Sequence, residues 1–148
     1  MEKRIIDFLI RAKKATYAGK GIEKEASRPH SHDLDYIEGE LTYIDTYLGG
    51  HSFAGEEALW EHNQPFWAMN YIGRVLSDKF DGDFLKEALS VIPKNKPYRG
   101  PETFLRDNYE YKCKIEGDFA WFSGEETIQY KGIKVYECIF HGGQIMKL

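Results

Sequence analysis

Ile5, Ile6, Leu9, Ile10 and Ala12 recur at helical spacing with charged residues between them. That pattern predicts an amphipathic helix over about Lys3 to Ala15, which needs a sheet to lie on. The segment Gly19 to Ser31 carries Gly, Pro and charge and reads as a long loop. Loops of that length in compact domains serve as lids, as ligand-contacting elements or simply as mobile connections. From Leu34 the period changes to two. Leu41, Tyr43, Asp45 and Tyr47 alternate against Thr42, Ile44, Thr46 and Leu48, a strand with two usable faces, and Gly49-Gly50 turns it. Phe53 to Trp60 and Gln64 to Gly73 follow as strands around Glu61-His62-Asn63, with Pro65 confined to a strand start or edge. Helical spacing returns at Phe84, Leu85, Ala88, Leu89 and Ile92, and Pro93 and Pro97 stop it. Tyr109, Tyr111, Cys113 and Ile115 then alternate with Glu110, Lys112 and Lys114. Gly117-Asp118 turns the chain into Phe119–Tyr130, and Lys131-Gly132 turns it into Ile133–Phe140.

The chain also repeats itself. Phe53-Ala54-Gly55-Glu56-Glu57 returns as Phe122-Ser123-Gly124-Glu125-Glu126. The same spacing carries Trp67 onto Tyr136, Met69 onto Cys138, Tyr71 onto Phe140 and Gly73 onto Gly142. Asp7-Phe8-Leu9 is echoed by Asp83-Phe84-Leu85, and Arg28-Pro29 more loosely by Arg99-Gly100-Pro101. The expected architecture is therefore α+β: internally duplicated helix-plus-three-strand units forming a curved, mainly antiparallel sheet with the helices on one face. It is one domain over 1–148, made of pseudo-repeats at about 3–75 and 79–148.

Composition narrows the function only a little. The net charge of −4 gives no field that would draw the whole molecule to nucleic acid or anionic lipid. Lys3, Arg4, Arg11, Lys13 and Lys14 cluster on the first helix and read as its solvated face. Cys113 and Cys138 are too few for a disulfide scaffold, and no apolar run suggests export or a membrane span. The expectation is a cytoplasmic protein with free thiols, without direct nucleic-acid or membrane contact, and with a homodimer left open.

Comparing the two halves locates candidate chemistry. Aligning Gly49 with Gly117 sets Asp45 against Cys113, so Asp45 should point inward between Tyr43 and Tyr47. A buried carboxylate must meet a cation, donors or a ligand. The bland reading is a structural pair with Arg28 or Arg99. Glu56 and Glu57 face opposite sides of a strand, and Glu57 shares its face with Phe53 and Leu59, as Glu126 does with Phe122 and Ile128. An inward Glu pair could floor a cation-binding pocket or act as a general acid/base pair, unless Gly-Glu-Glu is a bulge whose carboxylate serves local backbone. His30-Ser31-His32-Asp33 lacks spaced metal partners, so no metal or other cofactor is expected and Asp33 reads as ordering the loop. No residue earns a catalytic role. The polar groups gather in the first half, which makes Arg28, His32, Asp33, Tyr43, Asp45, Tyr47, Glu57, Trp67, Asn70 and Tyr71 the candidate ligand site for an unknown small molecule.

Several motifs resemble an uncharacterised domain family of bacteria and archaea. They are Thr16-Tyr17-Ala18-Gly19, Ser27-Arg28-Pro29-His30-Ser31-His32-Asp33-Leu34, Tyr43-Ile44-Asp45-Thr46-Tyr47-Leu48-Gly49-Gly50, Phe53 to Glu57, and Trp67-Ala68-Met69-Asn70-Tyr71. In that family the domain stands alone or follows a Cro/C1-type helix-turn-helix, so the resemblance implies an effector-like portion without its DNA-reading half. It brings no catalytic residue, substrate or cofactor. The architecture is also similar to GyrI-like effector-binding domains, though this chain lacks a clear strand before its first helix. The vicinal oxygen chelate fold shares a duplicated unit but wants metal ligands that are poorly placed here. The leading expectation is a small-molecule-binding, effector-sensing domain associated with transcriptional regulation. A small hydrolase or isomerase using paired carboxylates is the alternative, and a structural or oligomerisation module without ligand is a third reading.

Overall fold

The computed structural model describes residues 3–17 and 21–146. Helix α1 (Lys3–Tyr17) precedes strands β1 (His32–Glu38), β2 (Leu41–Gly49), β3 (Ser52–Glu61) and β4 (Gln64–Val75). Helix α2 (Gly82–Ser90) precedes β5 (Thr103–Arg106), β6 (Tyr109–Asp118), β7 (Trp121–Tyr130) and β8 (Ile133–Gln144). All eight strands form one sheet in the order β1-β2-β3-β4-β8-β7-β6-β5. Every pairing is antiparallel, and the two runs of hairpins meet along β4 and β8.

This β-rich architecture overturns the expected α+β class built from helix-plus-three-strand units. Two short helices accompany an eight-stranded sheet, and two of its strands escape the sequence pattern. β1 turns His32, Leu34 and Tyr36 to the face it shares with Asp45, but Asp33 and Asp35 fill its other side and mask the alternation. β5 has four residues. Both are sheet edges, where short or charged strands discourage pairing with another chain. The loop expected from Gly19 is described from Gly21 onward; Gly19 and Lys20, with Ala18 of the first family-like motif, lie outside the described residues.

Local chemistry fixes the turns. His62 and Asn63 adopt φ of 50° and 65°, the left-handed pair that a two-residue hairpin requires, and Asn tolerates it well. Gly49 has φ of 93°, and a Cβ there would sit 2.1 Å from the Ser52 carbonyl oxygen. Asp81 caps α2 by accepting the backbone N–H groups of Asp83 and Phe84.

The core lies between the helices and one face of the sheet. From α1 it takes Ile5, Phe8, Leu9 and Ala12, and from the strands Tyr43, Leu59, Trp67, Met69, Ile128, Tyr136 and Phe140. Each large apolar side chain sealed there contributes roughly 1.5–3 kcal/mol. Trp67 stacks on Phe119 at 4.8 Å, and its indole N–H donates to the Phe119 carbonyl. Cys113 and Cys138 are both free and buried. Among the described residues no helix is long and apolar enough to cross a membrane.

Candidate functional site

The helix-facing side of the sheet carries three buried carboxylates, Asp45, Glu57 and Glu126, together with the buried cations Lys13 and Arg99. Lys13 occupies the apolar stripe of α1, in step with Ile5, Phe8, Leu9, Ala12 and Thr16, so the expectation that it belongs to the solvated basic face is corrected. The outer residues of that cluster do face water, with Arg4 bonded to Glu61 and Arg11 to both oxygens of Glu38. Arg99 comes from the segment after α2.

Each cation has an acid. Lys13 Nζ lies 3.0 Å from Glu57 Oε1, which also accepts the Tyr43 hydroxyl at 2.6 Å. The Lys13 ammonium additionally donates to the Tyr98 carbonyl. Burial holds its pKa below the ordinary lysine value, against the raising influence of Glu57. Arg99 donates through Nε (3.0 Å) and Nη2 (2.5 Å) to Glu126 Oε1, while Tyr111 and Tyr136 donate their hydroxyls to the same carboxylate. The repeated Gly-Glu-Glu is therefore neither a pocket floor nor a bulge serving local backbone. Its second carboxylate anchors a buried ion pair in each hairpin, and its first, Glu56 or Glu125, faces solvent.

Asp45 differs. It is 3% exposed, and among the described residues no salt bridge reaches it. Its hydrogen bond is the hydroxyl of Tyr71, 2.5 Å away. The two residues are two strands apart, and Gly55 lies between them: it pairs with both Tyr47 and Tyr71, and a Cβ on it would fall 2.5 Å from the Tyr71 hydroxyl. Burial, reinforced by the neighbouring charge of Glu57, pushes the Asp45 carboxyl up to about 7; the Tyr71 hydrogen bond and the nearby Lys13 and Arg99 oppose that rise. The structural pair expected with Arg28 or Arg99 does not form. Arg28 is exposed, in a turn closed by its own backbone and Ser31, and Arg99 is held by Glu126.

A cavity of about 750 Å³ opens beside Asp45 between the helices and the sheet. Its walls are Tyr47, Phe53, Tyr71, Phe80, Leu85, Leu89 and Tyr136, with Arg99 bordering it and Arg99 also lying over the Tyr71 ring at 5.8 Å. Phe80 stacks on Tyr136 at 5.3 Å. At the mouth His32 stacks on Tyr47 at 4.7 Å and meets the Glu23 carboxylate at 3.0 Å. Of the residues expected at the site, His32, Asp45, Tyr47 and Tyr71 line this cavity. Tyr43 and Glu57 are sealed in the ion-pair network and Trp67 in the core, while Asn70 alternates to the opposite face of β4. Asp33 orders the preceding loop by accepting from Ser27, Ser31 and Thr46.

Lys13, Phe80 and Tyr136 were missed as site neighbours, and Arg99 was weighed only as a structural partner of Asp45. Lys13 had a signal in the sequence, a lysine falling on the apolar stripe. Arg99 had only its loose echo of Arg28. A second hollow, about 600 Å³, lies on the opposite face of the sheet among Leu48, Ala54, Ile72 and Ile139, bordered by the Arg74–Glu137 pair. Among the described residues its lining has no buried charged group, whereas the inner cavity has Asp45 and Arg99.

The helix-covered face of the antiparallel sheet thus holds an inner cavity with the buried Asp45 in its wall and Glu23 at its mouth. The chain belongs to the family described as a domain of unknown function (DUF5680), whose model matches residues 45–145. That span begins at Asp45 and includes Tyr71, Arg99 and Glu126. No curated protein and no solved structure matches the chain.

Proposed function

We propose that this chain is a small-molecule-binding, effector-sensing domain whose ligand occupies the cavity beside Asp45. One observation carries the reading: a carboxylate removed from water, without an ion pair among the described residues, lines an aromatic-walled cavity large enough for a drug-sized molecule. The walls suit a flat or cationic body, since tyrosine and phenylalanine rings attract cations and stack on planar groups. Service to a transcriptional regulator is part of the same proposal and rests on the family-like motifs alone. Paired-carboxylate catalysis has less support, because Glu57 does not line the cavity and is held by Lys13 and Tyr43.

Titration with a flat cationic dye, followed by fluorescence, tests the reading. At pH 8 the unaltered protein should bind it, and Asp45→Asn should weaken binding at least tenfold without lowering the melting temperature. Leu85→Trp, which fills the cavity, should do the same, while Ile72→Glu in the outer hollow should leave binding intact. Failure of any flat or cationic probe to bind the unaltered protein would remove the proposal.

A further inference from the structure

The arrangement of buried charges says more about the ligand, on the premise that the cavity beside Asp45 is a binding site. Among the described residues three buried carboxylates and two buried cations face the helix side of the sheet, and both cations are already engaged, Lys13 by Glu57 and Arg99 by Glu126. With all five groups ionised, the interior would hold one uncompensated negative charge. An unpaired charge is expensive in so little water, so the empty site settles its balance with a proton.

The surroundings of Asp45 place that proton. Facing it are Glu57 from β3, Tyr71 from β4, Lys13 from α1 and Arg99 from the segment after α2; Tyr71 donates to Asp45, while Lys13 is paired with Glu57 and Arg99 with Glu126. From β1 the residue opposite is Leu34, with Asp33 and Asp35 turned to the other face and His32 lining the cavity on the same face, held by Glu23. Lys86 of α2 lines the far wall. Glu57 and Glu126 each accept a tyrosine hydroxyl and pair with a cation. Asp45 has a tyrosine, and among the described residues no cation is in salt-bridge contact with it.

We propose that the cavity is a proton-for-cation exchanger: a singly charged organic cation entering it ionises Asp45 and sends one proton to solvent. The step balances. The O–H bond of the Asp45 carboxyl breaks, its proton passes to water or buffer, and the ligand's positive charge takes the proton's place with no net change in buried charge. The ligand class follows. One positive charge on a flat apolar body is matched, whereas a second charge would lie uncompensated beside Arg99 and an anion would meet an acid. Tyr71 stays in place throughout, donating to the carboxylate once it is ionised. The elevated ionisation range of Asp45, centred at about 7, puts the exchange within reach of neutral conditions.

Isothermal calorimetry with N-methylacridinium, run in buffers of different ionisation enthalpy from pH 6 to 8.5, reads the exchange directly. Near pH 6 close to one proton should be released per dye bound, falling to almost none at pH 8.5, and the Kd should fall about fivefold as the pH rises from 6 to 7 and level off above it. Asp45→Asn should bind the dye weakly with no proton release at any pH, and His32→Gln should keep the full proton count. Dye binding by the unaltered protein without proton release, or release that survives Asp45→Asn or vanishes in His32→Gln, overturns the exchange and leaves the binding site standing. No dye binding at any pH overturns both.

Discussion

The β2–β3 and β6–β7 hairpins solve one problem alike and then part company. In each, a tyrosine on the first strand donates to a buried glutamate on the second: Tyr43 to Glu57 and Tyr111 to Glu126. In each, a cation from outside the sheet completes the pair. The residue opposite the glutamate is Asp45 in one hairpin and Cys113 in the other. An aromatic ring from the neighbouring strand crosses a glycine toward that residue, Tyr71 over Gly55 and Phe140 over Gly124. Carboxyl and hydroxyl thus stand where the second hairpin has thiol and hydrogen. Burial pushes the Cys113 thiol up to about 12, so it stays neutral and asks for no partner. The ion pair is common to both hairpins; the two differences are what the proposed site rests on.

The largest effect should come from breaking the scaffold. Arg99→Met leaves Glu126 charged, buried and unmatched, which should cost about 3–5 kcal/mol and lower the urea midpoint accordingly. Lys13→Met should do the same to Glu57. An Arg99→Met protein as stable as the parent would mean that the second hairpin does not depend on its ion pair.

Next is the pH dependence of stability. The folded-state pKa of Asp45 lies above its unfolded value, so the native state holds the proton more tightly. Its stabilisation is fully present below the ordinary aspartate range, declines as pH rises, and is lost by about 7. Between pH 5 and 8 the parent should lose up to a few kcal/mol relative to Asp45→Asn. Cys113→Ala should leave that slope unchanged, so parallel curves for the parent and Asp45→Asn would erase the contrast between the hairpins.

Tyr71→Phe makes the first hairpin resemble the second by deleting one hydroxyl. Its cost should be about 1–3 kcal/mol at pH 8, where Asp45 is charged and needs the donor, and smaller at pH 5. Thermal melts at the two pH values decide it, and an equal loss at both would show that the hydroxyl does not serve the ionised carboxylate. The smallest effect belongs to Cys113→Ala, on the order of 1 kcal/mol. Dye binding should be untouched, and a change in dye affinity would extend the site into the second hairpin.

Much of this was legible in the sequence because alternation and helical spacing are local. Six of the eight strands, both helices and the tight turns follow from residues a few positions apart, and so does the inward direction of Asp45, Glu57 and Glu126. The edge strands β1 and β5 were not legible as strands, since an acid-rich or four-residue segment becomes a strand only when a neighbour supplies its hydrogen bonds. Nor did spacing reveal which acid meets which base. Arg28 and Arg99 sit beside similar Pro-bearing loops, yet one is exposed and the other is locked to Glu126. Lys13 looks like its surface neighbours until α1 is laid on the sheet. Ion pairs between distant segments, and the cavity left where α1 and α2 do not quite close over Asp45, depend on how the helices dock. Docking is decided by packing across the whole core, and no window of sequence contains it.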